Sequence, residues 1–466
     1  MGSLKIYNSL TRKVEEFKPI KKGRVGVYSC GPTVYWNQHI GHMYAYVQWD
    51  CLVRSLEHFG FKVKWVMNIT DVGHMTSDAD TGEDKMEKGA KREGLTVWQI
   101  AKRYIAQFEE SLDLLGIREI DEMSRVTDNI EEQIELIKRI EKRGFTYMTK
   151  TGLVFDTGKF ADYAKFAKLN LEKQRAGARV EVDEEKKKAW DFLLWVTNQP
   201  KHAMQWNSPW GRGFPGWHIE CTAISAKYLG ERFDIHTGGK EHVPVHHTNE
   251  IAQSFGAFGK QTANYWLHNE WLVFEGEKMS KSLGNNVLVT DLVEKGFDPL
   301  ALRYLILTSH YRSGLNFTWD SLKGAQMALE RLRSRVRAMK EDGAGLSEIE
   351  EKWREKFEDR LRDDLDMPGA LAVVWELVKS DQADSAKRAS ILKFDEVLGL
   401  RLGEEGSQKR AKARVTEKFR KPIEKRRELR SKGKYEEADR IREEIEKQGF
   451  EVKDETGGTV VVEKQG

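Results

Sequence analysis

Two short stretches of this chain combine residue types suited to handling a polyphosphate: His39-Ile40-Gly41-His42 near the start and Lys278-Met279-Ser280-Lys281-Ser282 past the middle. The first follows an apolar run, Val25-Gly26-Val27-Tyr28-Ser29-Cys30, that reads as a buried parallel strand. It opens a helical pattern in which Val47, Cys51, Leu52, Leu56 and Phe59 recur at three and four residues. A helix N-terminus presents free N–H groups and the positive end of the helix dipole, both of which bind phosphate. The imidazoles of His39 and His42 add donors to phosphate oxygens. Gly41 removes a side chain where a base or ribose could lie against the backbone. Lys278 and Lys281 precede the turn-like Gly284-Asn285-Asn286 and could close over a triphosphate. Charge building up at a phosphorus under attack calls for such preplaced donors. Taken singly, the first stretch also reads as a structural turn and the second as a solvated loop. Together, and in this order, they point to attack on a nucleotide α-phosphate.

A second set of residues has metal chemistry. Cys30 ends the first strand, and Cys221 lies in Gly216-Trp217-His218-Ile219-Glu220-Cys221. His246 and Glu250 are four residues apart and share one helix face. Two thiolates, an imidazole and a carboxylate make a sensible zinc set. No Cys-x-x-Cys spacing marks it, so buried free cysteines and a surface histidine account for the same residues, and His247, His242 and His236 are rival ligands.

The elements that must position these groups read as an α/β sheet interrupted by an insertion. Residues 1–115 carry strand, helix, strand (Val63 to Ile69), loop and helix, the first half of a Rossmann-like parallel-sheet catalytic domain. Residues 116–205 read as a connective insertion, with a helix near 128–143 and hairpin-like pieces near 145–156. The α/β alternation resumes in 206–270, the second half with the metal set: a helix after Trp217, a strand at 232–236 and a helix from His246. Residues 271–320, with a strand near 271–274, hold the lysine-rich motif, and 321–402 read as a helical bundle. Residues 403–466 form a small tail of two helices and strand-like residues near 460–462.

The bulk numbers set the class. With 466 residues, 39% hydrophobic and 32% charged, the chain describes a multidomain soluble protein with ample core. No run of about 18 apolar residues is present, and the N-terminus lacks a signal-like apolar region. Three cysteines in this length argue against a disulfide framework and for a reducing compartment, so a cytoplasmic location is expected. The net charge of +3 hides an asymmetry: Lys409 to Lys434 holds 13 Lys and Arg against 3 Glu, leaving the remainder near −7. Such a block attracts a polyanion, or is an ordinary solvated surface.

The pairing of the two signatures resembles the class I aminoacyl-tRNA synthetases, and the flanks narrow the resemblance to the cysteinyl-tRNA synthetase family. Cys30-Gly31-Pro32-Thr33-Val34-Tyr35, Asn68-Ile69-Thr70-Asp71, Ala178-Arg179-Val180, Ser208-Pro209-Trp210-Gly211, Gly216 to Cys221, Phe233-Asp234-Ile235-His236 and His246-His247-Thr248-Asn249-Glu250 follow in family order over nearly the whole chain. The resemblance implies a Rossmann-like catalytic domain, a helical bundle and a C-terminal anticodon-binding domain. It implies one Zn2+ on Cys30, Cys221, His246 and Glu250, and Mg2+ with ATP. It assigns His39, Gly41, His42, Asp234, Gly238, Gly239, Lys278 and Lys281 to ATP, and Cys30, Thr70, Trp217 and His218 to the amino-acid pocket. In the tail it assigns Arg430, Tyr435, Asp439, Arg442 and Asp454 to tRNA. The implied partners are ATP, L-cysteine and tRNA(Cys), with no membrane, and a monomer is expected. Zinc would select the substrate thiolate over serine's hydroxyl, which size alone separates poorly. Four protein donors form a closed set, so thiolate binding would require expanded coordination or a loosened Glu250. The chain departs from the family pattern after Thr70-Asp71, where about ten residues, 73–82, are inserted, and at Val196 and Phe214. Two other readings share some of these features: a mycothiol-type ligase joining cysteine to an amino sugar, and a non-catalytic RNA-binding paralogue. The first should lack the tail, and the second is expected to lose signature residues.

Overall fold

The computed structural model describes residues 3–73, 84–169, 185–279, 286–340, 351–404, 420–446, 450–455 and 458–463. The Ala178-Arg179-Val180 stretch, most of the 73–82 insertion, Lys281 and much of the basic block lie outside these residues.

The centre is a five-stranded parallel sheet in the spatial order Ala263–Asn269, Phe233–Gly239, Arg24–Ser29, Lys62–Ile69, Glu122–Arg125. Chain order therefore reverses between Arg24–Ser29 and Phe233–Gly239. In doubly wound sheets, ligands bind outside the carboxyl ends of the strands at that reversal. Alternate residues of each strand face opposite layers, so the central strands Arg24–Ser29 and Lys62–Ile69 carry apolar residues on both faces. Val25, Val27, Trp65 and Met67 pack into one core with the helix Ile40–His58. Tyr28, Val66 and Trp266 enter the other core, under Ile130–Lys142, Ile219–Leu229 and Thr248–Phe258.

Several boundaries differ from the sequence reading. Glu122–Arg125 pairs with Lys62–Ile69, so the catalytic sheet runs past residue 115 into the stretch assigned to the insertion. Its four residues include a glutamate, a serine and an arginine, so no apolar run marks it. The single helix expected before 115 is two, Lys85–Glu93 and Val97–Leu114, separated at Gly94 (φ 64°) and restarted by a Thr96–Gln99 capping box. The insertion folds as an antiparallel sheet of Thr146–Met148, Gly152–Phe155, Phe192–Val196 and Phe214–Pro215, which runs past residue 205. Val196 and Phe214 pair with each other there and are buried, so these two departures from the family pattern affect the insertion's core. The strand expected near 232–236 continues to Gly239, and Ala263–Asn269 is a strand the sequence reading lacks.

A small sheet of Glu277–Lys278, Leu272–Phe274 and Leu315–Phe317 follows, then the helices Trp319–Ala338, Glu351–Arg362, Met367–Lys379 and Asp384–Leu398. The bundle is tied to the catalytic unit by Arg303, a fully buried residue of the helix Pro299–Leu307. Its guanidinium donates to Asp50 Oδ2 (2.5 Å), Leu398 O (2.6 Å) and Leu115 O (3.2 Å). The tail pairs two helices, Arg420–Ser431 and Tyr435–Glu446, with a hairpin of Phe450–Glu455 and Gly458–Glu463. Among the described residues, no helix is long and apolar enough to cross a membrane.

Candidate active site and metal-binding cluster

A cavity of about 650 Å³ opens at the chain-order reversal of the sheet. Its walls bring together residues far apart in sequence: Cys30, His39, Gly41, His42, Thr70, Trp217, Cys221, Gly238, Gly239 and His246.

The first signature forms the N-terminus of the helix Ile40–His58. His39 is the cap residue, with extended backbone (φ −79°, ψ 167°), and its Nδ1 accepts from the Gly41 N–H at 3.1 Å. The His39 and His42 rings lie 3.8 Å apart, centroid to centroid. A Cβ on Gly41 would sit 2.8 Å from the His39 ring, so part of the space expected for a base or ribose is filled by that imidazole. The return of the chain after the second signature is anchored here: His39 pairs with Leu288, and the Ile40 N–H donates to Val287 O at 2.8 Å. On the other side, Lys278 pairs through its backbone with Val273. The fold thus holds both ends of the lysine-rich stretch beside the helix N-terminus. The Lys278 side chain and all of Lys281 lie outside the described residues.

At the other end of the cavity is a dense donor cluster. Cys30 Sγ lies 3.9 Å from Cys221 Sγ and 3.9 Å from Glu250 Oε1, and Cys221 Sγ lies 3.4 Å from His246 Nε2. His246 Nε2 is 3.1 Å from Glu250 Oε1. A tetrahedron with metal–sulfur bonds of about 2.3 Å and metal–nitrogen or –oxygen bonds of about 2.0 Å has edges of about 3.3–3.8 Å. The donor spacing fits such a centre, and the chemistry of the set suits zinc. His246 and His247 sit in a π-helical turn, Val243–His247, leading into Thr248–Phe258; such turns recur at functional sites. A second grouping, Cys30, His236, His247 and Glu250, shares two of the donors. In it His236 Nε2 lies 2.8 Å from Glu250 Oε2, a distance that suits a ring N–H orienting the carboxylate.

The electrostatics show why the cluster favours a cation. Burial, together with the Cys221 thiol, pushes the Cys30 thiol well above its ordinary value. Burial opposes ionisation of Glu250, yet His236 and His246 hold its carboxyl below the usual range. Burial likewise opposes a charged His246, but Cys221 and Glu250 hold its imidazolium up to about 10. The Glu250 carboxylate is thus held ionised among buried donors, a setting that a bound cation would neutralise.

The layer behind the donors was only partly anticipated. His218, expected to line the amino-acid pocket, is buried instead behind His246, with the two Nδ1 atoms 2.9 Å apart. That contact turns His246 Nε2 toward the cluster, as ligand-orienting partners do. His247 Nδ1 is 2.7 Å from His268 Nε2, and His268 Nδ1 is 2.8 Å from Ser9 Oγ. Thr70 does reach the cavity, where its hydroxyl donates to buried Glu220 at 2.7 Å and accepts from Asn68 at 3.0 Å. Asn68 also accepts from the Gly31 N–H at 2.8 Å, fixing the loop that follows Cys30. Trp217 packs 4.7 Å from the His246 ring, with Lys85 over its face at 5.1 Å.

Asp234 requires correction. It lies near the amino end of its strand, and its carboxylate accepts from the N–H groups of Ile20 (2.6 Å) and Gly26 (2.8 Å), away from the cavity. Its role here is to tie the amino ends of two adjacent inner strands. Gly238 and Gly239, at the other end of the same strand, line the cavity. A Cβ at Gly238 would approach the His247 and His242 rings at 2.6 and 2.8 Å, so glycine is needed there.

In the tail, Tyr435, Asp439 and Arg442 share one face of their helix, about a quarter turn from the inward stripe of Ala438, Ile441 and Ile445. Tyr435 is 61% exposed, available for stacking. Arg430 is exposed near the end of the preceding helix. Asp454 pairs through its backbone with Thr459, and its side chain lies outside the described residues.

Comparison with known proteins agrees with this geometry. Residues 16–327 match the family described as tRNA synthetases class I (C) catalytic domain. The chain is 45% identical over 458 residues to cysteine–tRNA ligase 1 of Burkholderia lata, covering 98% of this chain and 96% of that one. It is 43% identical to cysteine–tRNA ligase of Treponema denticola (98% and 99% covered) and 40% identical to that of Thermus thermophilus (98% and 98%). Among solved structures, Mycobacterium tuberculosis methionyl-tRNA synthetase bound by methionyl-adenylate shares the fold, with a TM-score of 0.55 at 17% identity over 81% of this chain and 90% of that one.

Proposed function

The chain belongs to the class I cysteinyl-tRNA synthetase family and is an aminoacyl-tRNA ligase, and from that premise we propose how its residues divide the work. The observation that carries the reading is the single cavity joining a histidine-bearing helix N-terminus to a four-donor metal cluster. Neither an amino-sugar ligase nor a catalytically empty RNA-binding protein is favoured by relatives that match from end to end.

ATP enters along the helix N-terminus, where His39, His42 and backbone N–H groups meet the phosphates. Cysteine enters with its side chain toward Cys30, Cys221, His246 and Glu250. Cys30, Cys221, His246 and Glu250 would hold zinc, which would supply a soft Lewis acid preferring a thiolate to a hydroxyl. Trp217 and Thr70 bound the amino acid, and Asn68 and Glu220 hold Thr70 in place. A carboxylate oxygen of cysteine attacks the α-phosphorus; the bond to the β-phosphate's bridging oxygen breaks, and pyrophosphate leaves. His39, His42, Lys278 and Lys281 stabilise the charge that builds on the α-phosphate and the departing group. A terminal ribose hydroxyl of tRNA(Cys) then attacks the cysteinyl carbonyl, loses its proton and displaces AMP. Catalysis is chiefly positioning and charge stabilisation. The enzyme acts as a monomer in the cytoplasm.

The direct test is ATP-dependent attachment of labelled cysteine to unfractionated tRNA, with serine as control. Cysteine charging without serine charging is expected. Activation without charging would turn the assignment toward a small-molecule acceptor.

The tail reads the anticodon through Tyr435, Asp439 and Arg442, with Arg430 and Asp454 beside them, an aromatic and charged set suited to unpaired bases. Arg442→Ala is expected to raise the KM for tRNA on the order of 10-fold and to leave cysteine-dependent ATP–pyrophosphate exchange unchanged. Equal loss in both assays would remove that role.

A further inference from the structure

Behind the amino-acid end of the cavity lies a buried ion pair that the division of work above leaves unused. His202 stands between the insertion's strands Phe192–Val196 and Phe214–Pro215, and its Nε2 lies 3.1 Å from Asp84 Oδ2. The two side chains are 4% and 3% exposed. His202 Nδ1 lies 2.8 Å from Met204 O, so both ring nitrogens face oxygen acceptors, which suits a ring carrying two N–H donors. Burial opposes charge on this imidazole, but the Asp84 carboxylate, the Met204 carbonyl and the Glu87 carboxylate outweigh it and raise the ring above its ordinary value.

Both of its contacts lead to Trp217. Asp84 caps the helix Lys85–Glu93, accepting from the Glu87 N–H at 2.8 Å. The same turn is tied again by the Ala203 N–H, which donates to Glu87 Oε1 at 2.8 Å. Lys85 opens that helix, with its ammonium 5.1 Å from the Trp217 ring centroid, within cation–π range. In the other direction the His202 ring stacks on Phe214, with 4.0 Å between centroids and 17° between planes. Phe214 stands three residues before Trp217. Lys85 and Trp217 line the cavity, whereas His202 lies outside the lining. Both contacts also stand where the chain leaves the family pattern. Asp84 follows the inserted stretch, and a Cβ on Gly73, its first residue, would sit 1.9 Å from Asp84 Oδ2. Phe214 is one of the other departures.

We propose that His202, through its buried pair with Asp84, is a positioning residue that sets Lys85 and Trp217 at the amino-acid end of the cavity. The proposal rests on the reading of Trp217 as a wall of the cysteine site and adds to it a residue that touches no substrate. Without the pair, the helix start and the strand end that flank Trp217 are no longer held to one another, and the wall loses its fixed place.

His202→Ala, His202→Gln and Asp84→Ser would be compared with wild type in cysteine-dependent ATP–pyrophosphate exchange. Serine keeps an oxygen to cap the helix but is too short to meet His202. His202→Ala and Asp84→Ser are each expected to raise the KM for cysteine on the order of 10-fold, with kcat and the KM for ATP nearly unchanged. The double variant should be no worse than either single one, because both remove the same contact. His202→Gln, which keeps an N–H donor where Nε2 stood, should restore most of the loss. In a Trp217→Ala background, His202→Ala should change the KM for cysteine by less than about 2-fold. An unchanged KM for cysteine in both His202→Ala and Asp84→Ser would overturn the proposal. Equal losses in kcat and in both KM values, with no recovery in His202→Gln, would make the pair merely structural and overturn it too. So would a full additional loss in the Trp217→Ala background. If His202→Ala does not fold, Asp84→Ser carries the same expectation. Absence of exchange in wild type would remove the function reading itself, an outcome distinct from each of these.

Discussion

Cys221→Ala is expected to lose stoichiometric zinc and to cut cysteine activation by about 100- to 1,000-fold or more. Zinc sites of this kind carry on the order of 10–16 kcal/mol of binding energy. If four donors share it roughly equally, loss of one weakens the metal by about 2.5–4 kcal/mol, or about 60- to 800-fold. Cys221 is 2% exposed and starts the helix Ile219–Leu229, so a surface rearrangement cannot easily supply a substitute thiolate. Zinc per chain, measured by mass spectrometry after dialysis against a weak chelator, should fall from one to well below one. Exchange with cysteine should fall while the poor exchange with serine stays where it was, collapsing the discrimination between the two. His218→Gln gives a graded version: it removes the ring behind His246 and should weaken zinc by about 10- to 100-fold. Retention of one zinc at unchanged affinity in Cys221→Ala would mean that the second grouping, through His236 and His247, holds the metal.

The second large effect concerns stability. Asp50 is fully buried and is paired with Arg303 (2.5 Å) and Arg54 (2.7 Å), and it also accepts from the Arg118 N–H at 2.9 Å. Asp50→Asn leaves the Arg303 guanidinium buried without its counterion, a loss of about 3–5 kcal/mol. For a unit of this size the melting temperature should fall by on the order of 10 °C. Arg303→Met alone should cost a similar amount, and adding Arg303→Met to Asp50→Asn should cost much less than the two losses combined, since one charge no longer waits for the other. Burial pushes the Asp50 carboxyl up, but Arg303 and Arg54 overcome it and hold the value below the ordinary range. A depressed carboxyl contributes stability that is fully present above its unfolded value of about 3.9 and is lost as pH falls through the folded value. The gap between wild type and Asp50→Asn should therefore be constant near neutrality and close only below about pH 4. A gap that narrowed between pH 6 and 8 would assign the effect to some other group.

What was legible in the chain follows from how each segment is buried. Arg24–Ser29 and Lys62–Ile69 announce themselves because both of their faces meet apolar layers. Ala263–Asn269 does not, because its apolar stretch Tyr265-Trp266-Leu267 is short and flanked by Asn264, His268 and Asn269. Asn264 bonds Arg232 and Asn8, and His268 bonds His247 and Ser9. No local pattern can show such pairings. The same reason hid the orienting role of His218, which sits one residue from a cavity-lining tryptophan and points elsewhere. Asp234 was misplaced because family order locates a residue along a strand but says nothing of which end of the sheet its carboxylate serves.

The spread of the metal donors along the chain also bears on how the protein is made. Cys30 emerges early, but its partners follow at Cys221, His246 and Glu250, with the whole insertion in between. Three of the five sheet strands can pair in order before any of those partners exists, whereas Phe233–Gly239 must dock against the first strand from the opposite side. A ribosome that has delivered fewer than 250 residues therefore carries an incomplete metal set. An ion bound by this set would be captured late, after closure of the sheet, and would stabilise that closure by mass action. Shortage of metal during synthesis would then be felt first as a failure of the two halves to stay joined, ahead of any loss of amino-acid selectivity.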